Sequence, residues 1–144
     1  MATLFDVYRQ TFGYPSERTN ALAYIRGCVS GGEVPVFTAY SESRLQEPLG
    51  FTILYPTFSS ILMQRTWQMQ DLFVIEGARR RGIARALVEN AIKFARQQGA
   101  DEFTLLSRVE SEPAAALFAS LGFEPYGHDV EYHRFHLALS ETRT

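Results

Sequence analysis

Residues 68–107 run from a β-type stretch, through a short turn rich in glycine and arginine, into a helix and back into a β-type stretch. No other feature constrains the fold as much. Two strands joined through a helix lie parallel, and the crossover between them is right-handed. Ile83, Leu87, Ala91 and Ala95 recur every four residues and give the crossover helix one apolar stripe over residues 82–98. Gly99 stands at the C′ position, where a left-handed residue commonly closes a helix.

The remaining elements arrange themselves around that unit. Leu4, Tyr8 and Phe12 form one stripe of a first helix, ended by Gly13 and Pro15. A second helix is expected over residues 16–29, with Ser16 as its N-cap and Gly31 and Gly32 closing it. Residues 34–40 are β-rich, 41–47 read as a polar hairpin loop, and 49–57 as the partner strand, ended near Pro56. After a turn at Ser59 and Ser60, residues 61–74 form a long β-type run. A strand over 102–107, a helix through Ala114, Leu117, Phe118 and Leu121, and a last strand over 130–137 complete the chain. The early strands, joined by short turns, are expected to be antiparallel. The expectation is one domain over residues 1–144, of the α/β class, with a mixed sheet flanked by helices.

Charge is distributed unevenly along this frame. The chain has 144 residues with 14 Lys+Arg against 16 Asp+Glu, a net charge of −2. Residues 79–96 hold Arg79, Arg80, Arg81, Arg85, Lys93 and Arg96 against Glu89 alone, a local balance of +5 in a remainder of −7. One basic island in an acidic chain argues against a nucleic-acid binder, which needs a broad basic face. Hydrophobic content of 46% with 21% charged residues is that of a globular chain rather than a disordered one. A single cysteine, Cys28, allows no internal disulfide and no multi-cysteine zinc site, so a cytoplasmic setting is expected. The N-terminal residues reach a charge at Asp6 without a signal-type apolar core, and no segment has transmembrane length. His133 and His136 are three apart on a strand and face opposite sides, so with His128 they are not expected to form a metal site.

The island falls where a strand gives way to a helix. The helix beginning at Gly82 has amides without intrahelical partners and the positive end of its dipole there. Gly82 and Ala84 keep the backbone open, and arginine side chains can fork onto phosphate oxygens. Together these make a phosphate seat.

Arg79-x-x-Gly82-x-Ala84, after the strand of Asp71, Leu72, Phe73 and Val74, resembles the signature of the GNAT N-acetyltransferase superfamily. Ala114 to Phe123, ending in Gly122-Phe123, is similar to the family's later helix, and the likeness spans about residues 4–137. The resemblance implies a cleft opened by the parting of two strands, which binds acetyl-CoA and releases coenzyme A. Leu72, Phe73 and Val74 would pair with the pantetheine arm. Arg79, Arg80, Arg81, Gly82, Ile83, Ala84 and Arg85 would hold the pyrophosphate. Ser111, Ala115 and Phe118 would border the cofactor from the later helix. Acetyl passes directly to an amine, and a strand amide, that of Val74, is expected to stabilise the thioester oxygen.

Two departures from the family stand out. Many relatives carry, at the position of Phe118, a tyrosine that protonates the departing thiolate, and a phenyl ring cannot. Tyr126, Tyr132, His128 or His133 could replace it, with Tyr132 the catalytic candidate; the thiolate could leave unaided; or catalysis could be weak or absent. The family's usual first strand is also missing before the first helix.

On the acceptor side, residues 50–60 and Gln70-Asp71 are similar to members that acetylate polyamines and small amines, with one carboxylate where those have two. Asp71 is the candidate to attract an ammonium group or relay its proton, and Tyr55 and Phe58 the candidates to line the acceptor mouth. The implied activity is N-acetylation of a primary amine on a small cationic acceptor by a homodimeric enzyme that needs no metal, membrane or nucleic acid. Three other readings stay open: a non-catalytic acyl-CoA-binding or sensing module, an enzyme acting on a protein or peptide amine, and a partner-binding scaffold on the same fold.

Overall fold

The computed structural model describes residues 1–106, 112–124, 135 and 137–139. Two helices, α1 (Ala2–Gln10) and α2 (Arg18–Gly31), precede strands β1 (Val36–Ser41), β2 (Arg44–Ser59) and β3 (Gln64–Val74). A 3₁₀ turn (Glu76–Ala78), α3 (Ile83–Gln97), β4 (Phe103–Leu105) and α4 (Glu112–Ser120) follow. The sheet order is β1-β2-β3-β4. The first two pairings are antiparallel and β3 pairs β4 in parallel, across the crossover helix α3. The mixed sheet flanked by helices is therefore present, and the chain enters it through α1 rather than a first strand. The last expected strand, over residues 130–137, lies almost wholly outside the described residues.

β2 is the centre of the molecule. Phe51 and Ile53 pack with Leu4, Phe5, Ala21 and Ile25 of α1 and α2. Leu54 packs with Trp67, Met69, Val88, Ala91, Ala95 and Phe118 on the α3 and α4 side. Alternation along the strand puts these sets on opposite faces, so β2 reads as an unbroken apolar run because both faces are covered.

β3 breaks the alternation. Ile53 pairs with Asp71 but Leu54 pairs with Met69, which leaves Gln70 as an extra residue without a partner on β2. Such a bulge shifts every later side chain to the other face. Trp67 and Met69 join the α3-side core before it. After it, Phe73 packs with the α1–α2 core and Val74 with the α3 side.

Several boundaries differ from expectation, and β3 begins at Gln64 rather than at residue 61. β2 runs on through Pro56 to Ser59. β1 pairs with β2 only as far as Ile53, so at Pro56 one edge of β2 faces no described strand, and proline is tolerated there. Strand pairing also resumes at Arg44, directly after Glu42 and Ser43, so the expected long hairpin loop is a tight turn. Finally, α2 starts from Glu17, and the hydroxyl of Ser16 donates to Asp6 Oδ2 at 2.6 Å instead of capping the helix.

Asp6 supplies what a local cap would have. It is buried on α1, and its Oδ1 accepts the Glu17 amide at 2.7 Å. The bond from Ser16, followed by that from Glu17, holds its carboxyl below the ordinary carboxylate value. A depressed folded-state pKa stabilises the protein above the unfolded value of about 4, and this contribution is lost as pH falls through the folded-state value. Asp6→Asn is expected to lower the melting temperature by several degrees at pH 7. The gap to the unchanged protein should narrow steadily below pH ~4 in thermal melts; a pH-independent gap would refute the assignment.

Candidate active site

β4 pairs with β3 only from Trp67 to Met69, and the Leu106 amide closes the ladder on the Met69 carbonyl at 3.0 Å. β3 continues on that side to Val74 with no described strand beside it. The Ile75 amide donates to the Leu49 carbonyl at 2.9 Å, and Gly50 stands opposite Val74. Hydrogen-bonded and non-hydrogen-bonded pairs alternate in an antiparallel ladder, so the main-chain groups of Leu72 and Val74 point away from β2. They face an edge that no described strand occupies. The position of the Arg79 side chain agrees, since its Nε donates to the outward carbonyl of Val74 at 3.0 Å.

A cleft of about 630 Å3 opens along this edge. Leu72, Phe73 and Val74 form its floor, and Arg79, Arg80, Gly82, Ile83, Ala84 and Arg85 its far end. Pro113, Ala114 and Leu117 of α4 form the facing wall. The first helical bond of α3 runs from the Ala86 amide to the Gly82 carbonyl, so the amides of Ile83, Ala84 and Arg85 have no intrahelical acceptor. Arg80 and Gly82 adopt φ of 66° and 77°. Holding arginine in the left-handed region costs on the order of 1 kcal/mol. Left-handed residues curl the turn into a concavity of the kind that suits anions.

The arginines of the island divide into braces and surface charges. Arg79 ties the turn to the end of β3. Arg85 donates to Ser120 Oγ of α4 and to Glu89 Oε1, which fastens the two helices across the cleft. Arg80 lines the cleft, whereas Arg81 is exposed and does not. On α4, Ala115 is exposed and outside the lining, because Pro113, Ala114 and Leu117 occupy the inward face. Phe118 is 7% exposed and meets Phe123 edge-on at 6.0 Å, in the core rather than the cleft. Ser111, Tyr126, His128, Tyr132, His133 and His136 lie outside the described residues.

The opposite face of β3 carries a second cavity, of about 330 Å3, against the α1–α2 hairpin. Asp71 stands in its wall because the Gln70 bulge turned it there. Tyr8 donates to Asp71 Oδ1 at 3.0 Å and Tyr55 to Oδ2 at 2.6 Å. Tyr24 Oη lies 3.1 Å from Tyr55 Oη. Burial first, and then the bond to Asp71, pushes the Tyr55 phenol far above its usual value; burial also raises Tyr24. Both stay protonated at neutral pH, and since Tyr55 gives its proton to Asp71, Tyr24 donates to Tyr55. Phe58 is not part of this group. It is 77% exposed and sits 5.3 Å from the Arg65 guanidinium, on the opposite side of β2 from Tyr55.

Sequence reasoning missed Tyr8 and Tyr24. Tyr8 was absorbed into the apolar stripe of α1, and nothing along α2 marks Tyr24. Among the described residues no cluster of His, Cys, Asp and Glu could hold a metal, and no helix is long and apolar enough to cross a membrane.

A strand pair thus parts beside a helix N-terminus, with a carboxylate-bearing pocket on the reverse face. The chain belongs to the acetyltransferase (GNAT) family, whose model matches residues 1–123. It is 34% identical over 132 residues to an uncharacterized N-acetyltransferase, YhfO, of Bacillus subtilis, covering 92% of this chain and 87% of that protein. A probable acetyltransferase of Haemophilus influenzae is 31% identical over 137 residues, covering 95% and 88%. The crystal structure of a probable acetyltransferase superposes with a TM-score of 0.84 at 30% identity, covering 97% of this chain and 90% of that one.

Gly50 sets the depth of the cleft floor. A Cβ there would lie 2.7 Å from the Phe73 carbonyl oxygen, and backbone cannot yield as a side chain does. Gly50→Ala is expected to displace Phe73 and Val74 and cost about 1–3 kcal/mol in a denaturant titration. Binding of coenzyme A, followed by calorimetry, should weaken in the same variant; unchanged binding would show that the floor tolerates the shift.

Proposed function

We propose that this enzyme transfers the acetyl group of acetyl-CoA directly to the primary amine of a small cationic acceptor. One observation carries the reading: two cavities flank opposite faces of β3 just past the point where β4 leaves it, with Asp71 in the wall of one and the adjacent Leu72 in the lining of the other.

The residues of the cleft fit the coenzyme. The amides of Ile83, Ala84 and Arg85, beside the small residues Gly82 and Ala84, suit a pyrophosphate. The outward main-chain groups of Leu72 and Val74 suit the amide-bearing pantetheine arm. Acetyl-CoA supplies an acetyl thioester, whose C–S bond breaks as the amine nitrogen forms the new N–C bond; nitrogen loses one proton and sulfur gains one. The Val74 amide, at the end of the open edge, is the donor for the developing oxyanion. Asp71 holds the ammonium form of the acceptor and receives its proton. Tyr8 and Tyr55 fix the carboxylate from both sides.

Acetyl-CoA is expected to raise the melting temperature of the protein. Ala84→Glu places an anion where the phosphates would sit, yet acid at a helix N-terminus does not disfavour the helix. That variant should keep its own melting temperature and lose the shift; an undiminished shift would sink the pyrophosphate assignment. Asp71→Asn should lower kcat/KM for a primary amine by about 100-fold or more in a thiol-release assay. Full activity in that variant would remove Asp71 from the mechanism.

A further inference from the structure

We propose that the cavity under the α1–α2 hairpin is built for a monoammonium ion with a flat apolar body, an arylalkylamine in chemical class, rather than a polyamine or an amino sugar. The inference rests on the reading of Asp71 as the anchor of the acceptor and goes beyond it to the body of the ligand.

The walls supply the first argument. Phe5, Tyr8, Phe12, Tyr14, Tyr24 and Tyr55 line the cavity, and its other described lining residues are Arg9 and Asp71. Tyr14, Tyr24 and Phe12 are 59%, 46% and 41% exposed. Large aromatic surface gathered around a carboxylate matches a ligand that is a cation at one end and apolar along the rest.

The second argument is preorganisation. Phe5 stacks on Tyr24 with ring centroids 5.4 Å apart and an interplanar angle of 12°. Tyr8 meets Phe51 edge-on at 5.3 Å. Tyr24, Tyr55 and Asp71 form one hydrogen-bonded row. These rings are set before any ligand arrives, so ordering them costs little on binding.

The third argument concerns which polar groups remain for the ligand. Each oxygen of Asp71 accepts one phenol and keeps a further lone pair, enough for two N–H groups of one ammonium. The Tyr8 and Tyr55 hydroxyl protons are committed to Asp71, so these residues offer rings rather than donors to the ligand body. Hydroxyl groups buried against such walls lose their water partners. A second ammonium would meet Arg9, held by Glu17 at 2.9 Å and lying over the Tyr14 ring at 5.4 Å.

Calorimetric titration of the full chain, with coenzyme A present, tests this without turnover. The probes are 2-phenylethylamine, spermidine and kanamycin. Phenylethylamine is expected to bind at least about ten-fold tighter than either competitor. Tyr14→Ala and Tyr24→Ala, both at exposed positions, should each erode that preference several-fold, and Tyr14→Ala, outside the hydrogen-bonded row, should leave spermidine unchanged. Equal or tighter binding of spermidine or kanamycin, or a preference that survives both substitutions, overturns the proposal. Asp71→Asn separates the two levels. If it weakens all three amines in a protein that shows no preference, the anchor stands and the aromatic-body proposal falls. If it binds phenylethylamine as the unchanged protein does, or if the unchanged protein itself binds no amine, the anchor falls.

Discussion

Gln70 has no partner across the β2–β3 ladder, and the rest of the site depends on that single extra residue. Before it, Trp67 and Met69 point into the α3-side core; after it, Asp71 faces the α1–α2 hairpin. A strand of strict period two would have continued the Met69 side with residue 71 and buried a carboxylate against α3. The cost of that burial explains why the sheet accepts a bulge there. β4 ends its pairing at the same level, at Met69, so the change of face and the opening of the edge coincide.

Asp6 and Asp71 show how this molecule treats carboxylates near its core. Each is met by donors from another element or segment: Ser16 and Glu17 for Asp6, Tyr8 and Tyr55 for Asp71. They differ in what remains over. Asp6 is 1% exposed and closed off between α1 and α2, a fastening of the helical hairpin. Asp71 opens onto a cavity. The hairpin that Asp6 fastens carries Tyr8 and Tyr24, so one carboxylate keeps in place the tyrosines gathered at the other.

The basic island divides its work in a similar way. Backbone amides at the start of α3 are left without intrahelical acceptors, and the arginines that the sequence draws attention to serve partly as braces. Arg79 holds the turn against β3, and Arg85 ties α3 to α4. A guanidinium reaching a carbonyl or hydroxyl a few ångströms away gives the turn and its amides geometric definition.

Much of this was legible in the chain itself. The period-four stripe of α3, the turn from Arg79 to Ala84 and the Gly122-Phe123 stop are local patterns, and local patterns survive reading without a structure. They determined the α/β class, the parallel β3–β4 pair and the turn that leads into α3. The Ser16 cap, the end of β2 at Pro56 and the places of Arg81, Ala115, Phe118 and Phe58 could not be read so, since each depends on what lies across from the residue. The register of β2 against β3, which places Gln70 as the odd residue, belongs to tertiary structure alone. So does the meeting of Tyr8, Tyr24, Tyr55 and Asp71, whose positions are far apart in the chain. Sequence carries periodicity and turn chemistry because these act between near neighbours. Only folding decides which face a side chain meets, because one unpaired residue in a strand reverses every face after it.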